Sequence, residues 1–142
     1  MRQLIIVRKD LNMSIGKTAV QCCHASQAWL FSGVEIRQYI RDTNYYYIKS
    51  IDADTHKHWI GDIATKTICG VKNKTQLLKA TIIAQELGLK ENKDYFLIYD
   101  RCLTELTPEE QDEDGGKTLT CIGFRPLEDE VVHKISKKFQ LL

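Results

Sequence analysis

A lysine in the first turn of a helix works against the helix dipole, because the unpaired N–H groups at that end carry about half a positive charge. Lys17 falls there if a helix starts behind Ser14, whose hydroxyl suits an N-cap. Lys17, Gln21 and His24 then lie at i, i+4 and i+7 and share one helical face. An anion or a developing oxyanion beside that face would explain the lysine, whereas local electrostatics alone are equally served by a solvated side chain. Asp100 directly follows the apolar run Tyr95–Tyr99, a common place for a functional group in an open α/β sheet and an equally ordinary place for a turn-capping aspartate. Thr104 and Thr118 can bring hydroxyls to the same sheet edge, although threonine is also simply a good strand residue.

These side chains need elements to position them. Leu4–Arg8 reads as a strand and leads through Lys9–Met13 into a helix from Ser14 to about Leu30. From Ser32 to about Trp59 the pattern is mixed, with a second helix expected near Val34–Arg41 and a Tyr45–Tyr47 cluster of unreadable period. Thr67–Val71 reads as a strand. Thr75–Leu87 reads as a helix with Leu77, Ala80, Thr81, Ala84 and Leu87 on one face and Gly88 as its stop. Tyr95–Tyr99 and Thr118–Gly123 are strands, and the acidic Pro108–Gly116 segment between them reads as a solvated loop. A last helix over about Glu128–Phe139 carries Val131, Val132, Ile135 and Phe139 on its apolar face. The order predicts one α/β domain over residues 1–142, with a mixed four-stranded sheet covered by helices on both faces.

Composition narrows the function classes. The formal charge of +1 gives no global attraction to nucleic acid, so any RNA contact must come from a local basic patch. No stretch reaches the length of a signal peptide's apolar core or a membrane span, which predicts a cytoplasmic protein without membrane partners. Five cysteines (Cys22, Cys23, Cys69, Cys102 and Cys121) are odd in number, form no CxxC pair and suit a reducing compartment. His56 and His58 are two residues apart and no further Cys/His cluster joins them, so no metal site is expected. Ile15-Gly16-Lys17-Thr18 ends like a phosphate-binding P-loop. That motif requires its first glycine at position 11, where this chain has Leu11, so a nucleotide-hydrolysis reading fails. A covalent mechanism through Cys22 or Cys23 with His24 as base is also disfavoured, since adjacent helical residues point apart and no orienting acid is evident.

Arg8-Lys9-Asp10-Leu11-Asn12-Met13, followed by Gly16-Lys17 and Gln21-Cys22-Cys23-His24-Ala25, resembles the opening signature of the type II peptidyl-tRNA hydrolases. Leu87-Gly88-Leu89, Asp100 with Thr104, and Thr118 with Ile122-Gly123 resemble later pieces of the same family pattern. The chain departs from it at Cys102, which replaces a glycine, at Phe124, which replaces a proline, and in the extra residues Glu109–Gly116. The resemblance implies a cofactor-free and metal-free hydrolase that cleaves the ester between a peptide and the acceptor end of tRNA, and it leaves room for a homodimer. It implies Lys17, Asp100 and Thr104 as catalytic groups, with Arg8, Lys9, Gln21, His24 and Thr118 contacting substrate. A family relative that only binds RNA or protein, and an esterase acting on another small acyl ester, are the competing expectations.

Overall fold

The structure, a computed structural model, describes residues 1–32, 34–38, 44–48 and 51–142, the two middle segments at the level of backbone pairing. Strand β1 (Gln3–Arg8) is buried along its whole length, and its Leu-Ile-Ile-Val run has no polar face because both sides of it are covered. Leu4 and Ile6 enter one core with helices α3 (Lys74–Glu86) and α4 (Asp129–Ser136), while Ile5 and Val7 meet Cys22 and Ala25 of helix α1 (Ile15–Phe31) on the other side. Each of these fully buried aliphatic side chains contributes about 1.5–3 kcal/mol relative to exposure.

Strand β1 pairs parallel with β4 (Lys66–Val71) and antiparallel with β7 (Gly115–Phe124). Outside them lie β5 (Tyr95–Asp100) against β7 and the two-residue β8 (Gln140–Leu141) against β4, giving the order β5-β7-β1-β4-β8. The expected mixed sheet with helices on both faces is therefore present, but with six strands instead of four. The sixth, β6 (Glu110–Asp112), turns half of the expected solvated loop into a hairpin with β7, through a bend at Gly115, whose φ of 111° favours glycine. The expected helix near Val34–Arg41 is also corrected. Val34–Gln38 forms strand β2, paired antiparallel with β3 (Asn44–Ile48), and the alternation of Val34 and Ile36 with Glu35 and Arg37 is the period-two signal that the helix reading missed. Positions 39–41 of that expected helix lie outside the described residues. A short helix α2 (Ala53–Thr55) widens into a π-type turn (His56–Ile60) before β4.

Helix α1 starts as its sequence demands: the Ser14 side chain accepts from the Lys17 backbone N–H at 3.2 Å. It crosses β7 at Gly123, where a β-carbon would stand 2.2 Å from the carbonyl oxygen of Ala25. That close crossing holds the first turns of α1 over the end of β5.

Candidate active site

Four side chains meet where α1 overlies β5 and β7. Asp100, the last residue of edge strand β5, accepts from Lys17 Nζ at 2.6 Å and from Gln21 Nε2 at 2.9 Å, both on Oδ2. Its Oδ1 accepts the backbone N–H of Cys102 at 2.8 Å, which the left-handed backbone of Cys102 (φ 59°) turns back towards the carboxylate. Lys17 Nζ also reaches Thr104 Oγ1 at 3.3 Å. Gln21 is buried and bridges two elements, with its Oε1 accepting from Thr120 Oγ1 at 2.6 Å. The polar face of α1 thus looks inward at the sheet for Lys17 and Gln21, whereas His24 is exposed.

Thr120 was not among the residues singled out in the sequence. It reaches the cluster through a β-bulge, since Ile98 pairs with Cys121 but the next residue, Tyr99, pairs with Leu119. Strict alternation from Cys121, on the α1 side, would send Thr120 into the opposite core. The bulge turns it to Gln21 and sends Leu119 into that core instead. Glu105 was also missed: its carboxylate takes the Ser14 hydroxyl at 2.5 Å and the Ser14 N–H at 3.0 Å, tying the Thr104 loop to the start of α1. Those two bonds hold the Glu105 carboxyl below its ordinary range.

Arg8 and Lys9 lie outside this cluster. All five N–H donors of Arg8 are engaged inside the protein, by Asp10, Glu109 and the carbonyl of Leu119, which leaves none for a phosphate. Lys9 is exposed, with its alkyl stem across Gly70. Thr118 is fully buried and pairs across the strands with Asp100; its hydroxyl donates to the carbonyl of Thr107 at 2.9 Å and accepts from Glu109 N–H at 3.0 Å, which pins the hairpin beside the cluster. Burial pushes the Cys121 thiol up to about 12 and raises Cys22, which removes both from consideration as ready nucleophiles.

The acidic residues of Glu109–Gly116 fold onto basic side chains. Glu109 and Glu110 pair with Arg8 and Lys74, and Asp112 lies between Arg101 Nη1 at 2.7 Å and Lys117 Nζ at 3.0 Å. Hydrogen bonds from Arg101 and then Lys117 draw the Asp112 carboxyl down to about 2, and Arg8 lowers Glu109 in the same way. Both folded values lie below the ordinary carboxylate range of about 4. Their stabilisation is therefore complete above that range and is lost as pH falls through the folded values. Hydrogen exchange should show β6 amides losing protection between about pH 4 and pH 2 while β1 stays protected. Unchanged β6 protection down to about pH 2 would mean that the ion pairs do not hold the hairpin.

Chemically, the cluster offers a carboxylate able to orient water or accept its proton, beside an ammonium and a hydroxyl able to meet developing negative charge. Comparison with known proteins identifies the family. Residues 1–142 match the family described as peptidyl-tRNA hydrolase PTH2. The peptidyl-tRNA hydrolase of Methanothermobacter thermautotrophicus is 29% identical over 142 residues, covering 100% of both chains. Those of Methanopyrus kandleri and Thermoplasma acidophilum are 28% and 26% identical over 141 residues, covering 99% of this chain and 97% of each relative. With the match running from end to end and the Lys17–Asp100 pair at the close of β5, this chain belongs to the peptidyl-tRNA hydrolase PTH2 family.

Proposed function

We propose that this chain hydrolyses the ester joining the C-terminus of a peptide to the terminal ribose of tRNA, in the cytoplasm, so that tRNA stranded by aborted translation is recovered. The observation that carries the reading is the Asp100 carboxylate, held at the end of β5 by Lys17, Gln21 and the Cys102 N–H. Water attacks the ester carbonyl carbon while its proton passes to Asp100. Lys17 turns from Asp100 to the carbonyl oxygen as negative charge grows there, with Thr104 beside it. The tetrahedral intermediate collapses by breaking the bond to the ribose oxygen, which takes up the proton held by Asp100. The products are a free tRNA hydroxyl and a peptide carboxylic acid, which gives up the second proton of the water to solvent and leaves as the carboxylate. Gln21, fixed at its far end by Thr120, keeps the carboxylate aimed. This chemistry asks nothing of a metal or an organic cofactor.

Purified protein incubated with an N-blocked aminoacyl-tRNA should release the acyl group over many turnovers, and prior treatment with a chelator should leave the rate unchanged. Absence of release by folded protein that still binds tRNA would favour a binding relative. Release that stops on chelation would overturn the metal-free route.

A further inference from the structure

Beyond Asp100 the same strand end carries a second cluster that hydrolysis does not use. Tyr99 and Arg101 flank Asp100 in sequence, and Tyr99 is 38% exposed despite its position in a strand. Lys117 Nζ stands 4.8 Å from the centre of the Tyr99 ring, and both Lys117 and Arg101 contact the carboxylate of Asp112. A partly exposed ring with a lysine over it and an arginine joined to that lysine through one carboxylate combines the two elements that bind single-stranded nucleic acid, an aromatic surface for a base and cations for the backbone. Here a carboxylate occupies the place of the backbone.

The hairpin that supplies this carboxylate is held unequally along its length. At its root, Arg8 is almost wholly buried and gives Glu109 a two-point contact with N–O distances of 2.7 Å. At its tip, the Arg101 side chain is 43% exposed and Asp114, 3.6 Å from Arg101 Nη2, is 82% exposed. Pairs made by single contacts of partly exposed side chains exchange with a competing anion more readily than a buried two-point pair does. The tip can therefore lift while the root stays fixed.

We propose that Asp112 mimics a phosphate and latches a binding step for the single-stranded 3′ end of tRNA. In that step Arg101 and Lys117 take a backbone phosphate, Tyr99 stacks with a base, and the hairpin tip yields its place. This rests on the hydrolase reading, because it adds a nucleotide-binding step beside the ester site. Tyr99 and Arg101 are the chain neighbours of Asp100 at the end of β5, so the step and the ester site share one strand end. A guanidinium fork suits a phosphate at least as well as a carboxylate, so the exchange loses no pairing. With a net charge of +1 the chain has no global attraction to nucleic acid, and the latch keeps its local cations covered until the correct strand arrives.

The test uses deacylated tRNA, intact and with its single-stranded 3′ nucleotides removed, titrated against the full chain at several salt concentrations. Changing Asp112→Asn together with Asp114→Asn should tighten binding of intact tRNA about three- to tenfold and lower KM with little change in kcat. Changing Arg101→Gln together with Lys117→Gln should weaken binding and reduce the slope of log K against log salt by about 0.7 for a single-strand phosphate. Both effects should vanish on trimmed tRNA. Equal or weaker binding by the folded Asp112/Asp114 variant, or an unchanged salt slope in the Arg101/Lys117 variant, would overturn the latch. The two claims fail separately. Wild type that never hydrolyses but shows both binding effects loses the enzyme reading alone, while full hydrolysis with flat affinities loses the latch alone.

Discussion

Asp100→Asn is expected to lower kcat for ester hydrolysis by about 10²–10⁴-fold, the range of a positioned base. Asparagine keeps the shape of the side chain, and its single carbonyl oxygen can still accept from the Cys102 N–H, although its amide nitrogen cannot accept from Gln21. It cannot accept the proton of water, and it leaves Lys17 without its anion. Lys17→Met is expected to lower kcat by about 10²–10³-fold, as for loss of one oxyanion donor. Because Lys17 and Asp100 share a contact of 2.6 Å and act in one step, the double variant should fall little further than Asp100→Asn alone. Melting temperatures recorded for all three variants separate chemistry from unfolding. Full activity in folded Asp100→Asn would remove Asp100 from the reaction. Strictly multiplicative losses would mean that the two residues act in separate steps.

The second large effect is expected far from any reacting group. In Gly123→Ala the new methyl would meet the Ala25 carbonyl oxygen at 2.2 Å and its carbonyl carbon at 2.7 Å, and both atoms belong to the backbone of α1. No side chain can rotate away, so the helix must move, at a cost of about 1–3 kcal/mol for an overpacked core. For a chain of this size that corresponds to a melting point lower by roughly 5–10 °C. Lys17 and Gln21 ride on the same helix, and a displacement of about 1 Å at a reacting group can cost about 10²-fold in rate. Activity measured well below the melting point should therefore fall together with stability, although Gly123 contacts no substrate. Loss of stability with undiminished kcat would show that the crossing does not align the site.

The parts of this molecule that could be read from its sequence are those whose signal is local. The start of α1 is marked by Ser14, and Lys17 and Gln21 reach Asp100 because helical spacing puts them on one face and a strand ends beneath it. Thr120 was hidden because its orientation depends on a bulge, which breaks the alternation on which strand reading relies, while Thr118, legible as a strand hydroxyl, also serves to clamp the hairpin. Arg8 looked free for phosphate only while Glu109 was assigned to solvent, and β6 looked like a loop because Glu, Gln and Asp have little strand preference of their own. Partners distant in the chain decide both cases. Strand β8, two residues long, offers too short a pattern for any period to show.

The bulge at Thr120 also divides β7 into a part whose length cannot change and a part whose length can. Between Thr120 and Gly123, adding or deleting one residue would exchange the two faces of the strand and drive Gln21 and Ala25 against the wrong side chains. Towards the hairpin turn, an added pair of residues only extends the ribbon into solvent. The extra segment Glu109–Gly116 lies on that tolerant side. Changes of length in that hairpin therefore leave the frame that holds Asp100, Lys17 and Gln21 in register.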